Sequence, residues 1–482
     1  MNIATLVGLN TCSKRSPDCV MRGSHLLLTL FLAVVATFYV CAGLAFNRVT
    51  HLHAGLAFFI ILLSALPLIV SLSNKKESLL IPLMSLHGIY YAFTYGFPVL
   101  IDLLLGAHPT NDNDTRTLCT VVLGLVFLNV GFYIFRGIYS KPRSIQFLTG
   151  ISVKRQIVIA WIMCGLYLLF RIIPTLRSLP SVGHLDDILG YLSIGLLFTL
   201  MLDGYLTRKH VAALAVIILY STVNKVFSGS LAPAFFLLVF LGVIYWIKRK
   251  TIPWSFVIVG AIAVIAFNPV KHQYRAVAWQ DESFASMSFF DKASLFYEAT
   301  QVFYQSGVVS SLAQDSSTVA RVSRVSTLET VIAMTPTEVP YWMGNSYRTL
   351  LTSFIPRVIW PGKPESKIGQ EFGHRYALLN YDDLTTSYNL PWLPEFYANF
   401  GFIGVVFGMF LVGVIFRFII QKLSAPRGDN LSLILGLAIS FNLFYADSNF
   451  ALLFGGVLLK FLAGLAILFF LTANYRWKAK GV

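Results

Sequence analysis

The sequence predicts an all-α integral membrane protein of about twelve transmembrane helices, with one large loop outside the cytoplasm. Of its 482 residues, 56% are hydrophobic and only 12% are charged, and the mean hydropathy is +0.70. A soluble chain carries about 25% charged residues, so lipid must cover much of this surface. Apolar runs of the roughly 20 residues that a bilayer requires recur along the chain. Lysines and arginines are concentrated in alternate connections, as membrane orientation demands.

Helices are predicted near 26–46, 53–72, 79–105, 118–136, 156–173, 187–206, 211–224, 231–247, 252–269, 396–420, 430–449 and 452–473. The first follows a basic tail (Lys14, Arg15, Arg22) and is too long for a signal-peptide core, so it reads as an uncleaved first span. The third is long and contains Pro82, which predicts a kink or tilt. The chain thus divides into nine spans over 1–269, a loop over 270–395 and three spans over 396–482.

With the N-terminus in the cytoplasm, 21 of the 37 lysines and arginines fall in cytoplasmic segments and only five in the short outer loops or adjacent helix ends. Both termini are then cytoplasmic. The formal charge of +15 belongs to membrane topology and anionic lipid, not to nucleic acid. The large loop is close to neutral, with ten basic against twelve acidic residues. Five cysteines (Cys12, Cys19, Cys41, Cys119, Cys164) leave that loop without a disulfide framework, and no CxxC pair signals zinc or thiol redox chemistry.

Within the loop, Phe284–Gln314 reads as an interfacial helix and Ser326–Met334 as a short helix ended by Thr335-Pro336. Tyr341–Ile355 is amphipathic and stops at Pro356. The stretch 361–394 is rich in Gly, Pro, Asn and Asp and reads as loop. No P-loop, GxGxxG, HExxH or GxSxG occurs. An enzyme working outside the cytoplasm, where nucleotide sugars are absent, needs an activated donor carried by the membrane, such as a polyprenyl diphosphate sugar.

A diphosphate leaving group concentrates negative charge that fixed cations stabilise, and arginine binds phosphate oxygens in pairs. The loop offers Arg275, Arg321, Arg324, Arg348, Arg357, Lys363 and Arg375; any single one could instead be an interfacial anchor pairing with lipid phosphates or nearby carboxylates. A sugar hydroxyl acceptor needs a general base. Glu395, at the start of the tenth span, is one candidate, with His374 and His272 as rivals; Glu395 could instead serve the helix dipole. Asp447 and Lys460 are intramembrane charges, hence functional suspects, and could instead pair with each other. Asp102 and Asp203 lie near helix ends, where solvation explains them.

Phe354-Ile-Pro-Arg-Val-Ile-Trp-Pro-Gly-Lys-Pro364 resembles the signature of bacterial O-antigen and oligosaccharide repeat-unit polymerases of the Wzy type. Glu395-Phe-Tyr-Ala-Asn-Phe-Gly-Phe-Ile-Gly404 is similar to that family's run into the following helix, and Thr335-Pro336 and Gly344-Asn-Ser-Tyr347 to the stretch before the signature. The resemblance spans roughly residues 320–410. It implies a GT-C-like lipid-donor glycosyltransferase in a bacterial inner membrane, with its large loop in the periplasm. Such an enzyme moves a growing glycan from undecaprenyl diphosphate onto a new lipid-linked repeat unit, building O-antigen, capsule or exopolysaccharide. It implies membrane lipid as surroundings, a flippase and a chain-length regulator as partners, and no metal or other cofactor. Arg357, Lys363 and Glu395 are the motif positions. Arg275 and Arg348 fit the family's use of loop arginines, and Arg324 and Tyr388 are further candidate substrate contacts. The His-Asn of O-antigen ligases is absent, with Tyr388-Asn389 its nearest analogue, which argues against a ligase; Lys225-Val-Phe-Ser-Gly-Ser230 lacks the arginine of a related turn. A flippase for lipid-linked glycans is the reading from another class.

Overall fold

A computed structural model describes residues 48–73, 81–104, 112–135, 145–173, 182–227, 231–251, 289–305, 323–353, 355–364 except 356 and 358, 367–426 and 428–479, with isolated positions between 260 and 287. The predicted spans at 26–46 and 252–269 lie outside the described residues.

The described residues fold into helices without strands. In order these are α1 (Arg48–Ser73), α2 (Leu83–Tyr91), α3 (Phe97–Leu104), α4 (Asp112–Ile134), α5 (Val153–Ile172), α6 (Val182–Leu202), α7 (Arg208–Val226) and α8 (Leu231–Arg249). There follow α9 (Phe289–Gln305), α10 (Val325–Met334), α11 (Leu350–Ser353), α12 (Ile368–Arg375), α13 (Trp392–Leu423), α14 (Asn430–Ser440) and α15 (Phe450–Ala479). Six stretches are long and apolar enough to cross a bilayer: His51–Leu72, Asn113–Ile134, Val153–Arg171, Leu185–Leu202, Trp392–Leu423 and Phe450–Ala473. Their outward faces carry bare apolar side chains such as Phe59, Ile134, Phe407 and Phe470. Water does not tolerate such surfaces at this extent, and the protein is a multi-pass membrane protein.

Small residues set the tightest packing, as they do between helices in lipid. α13 lies along α4, where Gly131 faces the Phe410 carbonyl and Gly413 faces the Leu128 carbonyl closely enough that a Cβ on either would collide with backbone. α14 and α15 pack against α6.

Two interruptions position the loop. Pro82 does not kink the third predicted span; it stands at the N-terminus of α2. The break comes instead as a π-turn, Ala92–Gly96, just before Pro98. Proline has no N–H for the carbonyl four residues back, and that carbonyl, Thr94, accepts the Arg324 N–H at 3.0 Å. In α13 the helix breaks at Phe400-Gly401, where Gly401 has φ +63°, ψ −147°. Only glycine adopts that region readily. Around this break, the carbonyls of Ala398 and Asn399 accept the N–H groups of Trp342 and Met343 at 2.9 and 3.3 Å. The loop therefore docks onto backbone acceptors beside broken helices, and α10 buries Val325, Leu328 and Val331 in the same core as the spans.

Three expected boundaries move. The span expected at 430–449 ends as helix at Ser440, with a 3-10 turn at Phe441–Leu443 and irregular backbone to Asn449. The stretch 361–394 contains α12, and α13 begins at Trp392 rather than 396. Tyr341–Ile355 forms a 3-10 turn at Asn345–Tyr347 and the short α11, not one helix.

Candidate functional site

Three charged groups gather where the loop meets the start of α13 and the irregular segment between α14 and α15.

The first centres on Asp447, whose side chain is 1% exposed. Arg324, placed at the start of α10 by its N–H bond to Thr94, grips it with Nε and Nη2, each 2.6 Å from a carboxylate oxygen. Tyr445 Oη donates to it at 2.7 Å and Asn389 Nδ2 at 3.1 Å. Burial alone would lower the Arg324 pKa, but the hydrogen bonds and charge of Asp447 outweigh it and hold the guanidinium above its usual value. Arg324 is therefore committed to Asp447. The expectation that Asp447 pairs with Lys460 is corrected: Lys460 donates to Asp187 at 3.1 Å and Asn442 at 3.0 Å. Arg324 sits far from Asp447 in sequence yet reaches it, because the loop docks directly on Thr94.

The second centres on Glu395, in the first turn of α13 and fully buried. Its carboxylate accepts from Ser346 Oγ at 2.7 Å and from the Phe450 N–H at 2.8 Å, which caps the start of α15. Asn399, one turn on, donates to Ser346 Oγ at 2.9 Å and accepts the Gly344 N–H at 2.8 Å. Trp392 completes the knot by donating Nε1 to the Ser448 carbonyl at 3.0 Å. Glu395 thus ties the loop, α13 and α15 together, with both carboxylate oxygens occupied inside the protein.

The third is the signature turn. Arg357 Nη1 donates to the Lys363 carbonyl at 2.7 Å, and Lys363 Nζ donates to the carbonyls of Ser353 and Ile355 at 3.1 and 3.0 Å. Backbone oxygens thus fold two cations toward each other. The Lys363 pKa is lowered, by burial first and then by the Arg357 charge. The turn is seated on α15, where Gly455 faces Ser353 so closely that a Cβ would overlap its side chain. Gly455 lies about 7.5 Å along α15 from Phe450 at 1.5 Å per residue, so the cationic turn and Glu395 share one rigid reference.

The remaining described candidates lie on or against α12. Arg348 pairs with Glu371 of α12 at 2.6 Å, half exposed. Tyr388 shares a hydrogen bond with Thr327 at 3.1 Å and packs near Phe372. His374 Nε2 lies 3.0 Å from the Asp383 carbonyl. A carbonyl only accepts, so Nε2 carries the proton and Nδ1 is the basic nitrogen. Asp383 clasps its own turn through Thr385 and Thr386, and hydrogen bonds from Thr386 hold its pKa down at about 2. Arg375 donates to the Pro340 carbonyl. Arg275 and His272 lie outside the described residues. Among the described residues no group of three or more His, Cys, Asp or Glu could hold a metal ion.

A family described as "Domain of unknown function (DUF8712)" matches residues 120–476. The chain belongs to that family. All three charged groups fall inside the matched region, whereas Thr94 and Pro98, which dock Arg324, lie before it. No curated protein and no solved structure matches the chain.

Sequence reasoning missed Ser346, Asn399 and Tyr445 as members of the site. Glu395 and Asn399 do stand four apart, which puts them on one helical face, but no spacing connects them to Ser346.

Proposed function

We propose that this protein is a repeat-unit polymerase: a GT-C-like, lipid-donor glycosyltransferase of twelve spans in a bacterial inner membrane, with both termini cytoplasmic and the loop in the periplasm. One observation carries the reading. The signature turn holds Arg357 and Lys363 together by backbone carbonyls, and two cations so placed are an unfavourable arrangement that a diphosphate relieves.

In this reading the donor's undecaprenyl diphosphate rests on that turn. The bond between the reducing sugar carbon and the diphosphate oxygen breaks, and the leaving oxygen takes the electron pair under the field of both cations. The terminal hydroxyl of a second lipid-linked unit forms the new bond to that carbon and gives its proton to a base. His374 suits that role, since its Nδ1 lone pair is basic while Nε2 faces the Asp383 carbonyl. The sequence put Glu395 first, with His374 as a rival, but the Glu395 carboxylate faces Ser346 and Phe450, so we assign it the positioning of the turn and α15. Arg348 ties α12, and with it His374, to the signature side through Glu371.

The test is the glycan ladder of cells lacking the protein, complemented with variants. Arg357→Ala, still present in the membrane, gives single repeat units on lipid and no long chains. A normal ladder overturns the reading. Long chains that form but never reach the lipid A core point to a ligase.

A further inference from the structure

A separate charged cluster lies away from the signature turn, between α5, α6, α7 and α15. Arg171 at the end of α5 bonds Asp186 at 3.1 and 2.8 Å. Lys460 on α15 bonds Asp187, and Lys225 at the end of α7 lies over the Tyr191 ring at 5.8 Å. Among the described residues three cations face two carboxylates here, one more positive than negative charge among apolar helices. Such charges are costly in a membrane and mark functional sites.

The cluster borders a cavity of about 360 Å³, lined by Tyr191, Phe236, Phe444, Tyr445, Gly456 and Lys460 among others. That is the small end of the range of ligand pockets, about 300–1,000 Å³. Lys460 has three ammonium donors, and two are used, by Asp187 and Asn442. Tyr191 Oη makes no hydrogen bond among the described residues. At the other end Tyr445 reaches Asp447, which links the cavity to the Arg324 group. Leu452, which also lines the cavity, is 55% exposed on a helix long enough to span a bilayer.

We propose that this cavity binds a phosphate carried on a single apolar chain, with the phosphate against Lys460 and the first segment of the chain between Tyr191, Phe236 and Phe444. Basic pockets between spanning helices hold lipid phosphates in this way. The largely apolar lining favours a phosphate that carries a chain over free phosphate, and about 360 Å³ is too small for two acyl chains. A polymerase must hold two lipid-linked substrates at once, and the signature turn serves one of them. The assignment of the cavity to the second rests on the polymerase reading; the binding does not.

The experiment uses the full-length protein in detergent, titrated with farnesyl phosphate and followed by native mass spectrometry. Farnesyl phosphate binds; farnesol, inorganic phosphate and phosphatidylglycerol bind at least about tenfold more weakly. Gly456→Leu, which fills the cavity and leaves every ion pair intact, weakens farnesyl phosphate about tenfold or more. Lys460→Met does the same, and Lys460→Met/Asp187→Asn repeats it without an orphaned carboxylate. Unchanged binding in Gly456→Leu, or equal binding of phosphatidylglycerol or inorganic phosphate, overturns the proposal. Retained binding alongside an intact glycan ladder in the Arg357→Ala strain would sink the polymerase reading and leave the lipid site standing.

Discussion

Arg324 holds Asp447 through both carboxylate oxygens at 2.6 Å, across 123 residues of sequence. The Asp447 side chain is buried and the Arg324 side chain only 21% exposed, so removing one partner strands a charge. Arg324→Met should cost about 3–5 kcal/mol of stability. Arg324→Met/Asp447→Leu should recover most of that, because an apolar pair of similar volume replaces the ions. Arg324→Lys should fall between the two, as an ammonium cannot present the planar fork. Unfolding in detergent against heat or denaturant measures all three. Equal losses in the single and double variants would mean that the pair is not the source of the stability.

How much of this the sequence disclosed depends on whether the interaction is local. Six of the expected spans were legible because hydropathy and length are local, and Val325–Met334 was legible because Thr335-Pro336 stops it. Asp447 was legible as a suspect because charges in apolar runs are rare, but its partner was not, since only the docked loop brings Arg324 to it. The end of α14 was missed because Phe441–Tyr445 is as apolar as a helix, although its irregular backbone is buried in protein, where hydropathy cannot separate the two cases. α12 was missed because glycines read as loop; Gly369 and Gly373 instead admit Tyr388 and Leu379 at close range.

The docking of Arg324 begins at Pro98. Pro98→Ala supplies an N–H that competes for the Thr94 carbonyl and relaxes the π-turn toward regular helix. The Arg324 amide should then exchange hydrogen faster, and stability should fall by about 1 kcal/mol, near the worth of one hydrogen bond. Hydrogen exchange of a peptide covering residues 323–334 reads this. Unchanged protection there would show that the proline is incidental to the docking.

Gly455 is the seat of the signature turn. Gly455→Val puts a branched side chain where Ser353 lies, and Ser353 supplies one of the carbonyls that hold Lys363. The protein should remain in the membrane while long glycan is lost. Gly455→Ala should be milder, and Gly455→Ala/Ser353→Gly should recover much of the ladder, because the second change removes the obstructing atoms. Failure of that rescue, with α15 intact, would separate the turn's position from activity.

Lys363 gives a direct reading of the cationic turn. Its pKa is lowered by burial and by Arg357, so at a given alkaline pH more of it is the neutral amine than for an ordinary surface lysine. Amine-acylating reagents attack the neutral form, so Lys363 should react faster than the exposed Lys367 near pH 8, and its advantage should fade as pH rises and protonation no longer limits the rate. Arg357→Gln removes one of the two causes and should slow Lys363 toward the rate of Lys367. A diphosphate bound at the turn acts in the opposite direction to Arg357: its negative charge raises the Lys363 pKa and blocks the nitrogen. Farnesyl diphosphate should therefore protect Lys363 and leave Lys367 unaffected, with peptide mass spectrometry counting the modified fraction. Loss of the rate advantage in Arg357→Gln combined with absence of protection by the diphosphate would mean that the two cations are close but serve the fold of the turn rather than a phosphate.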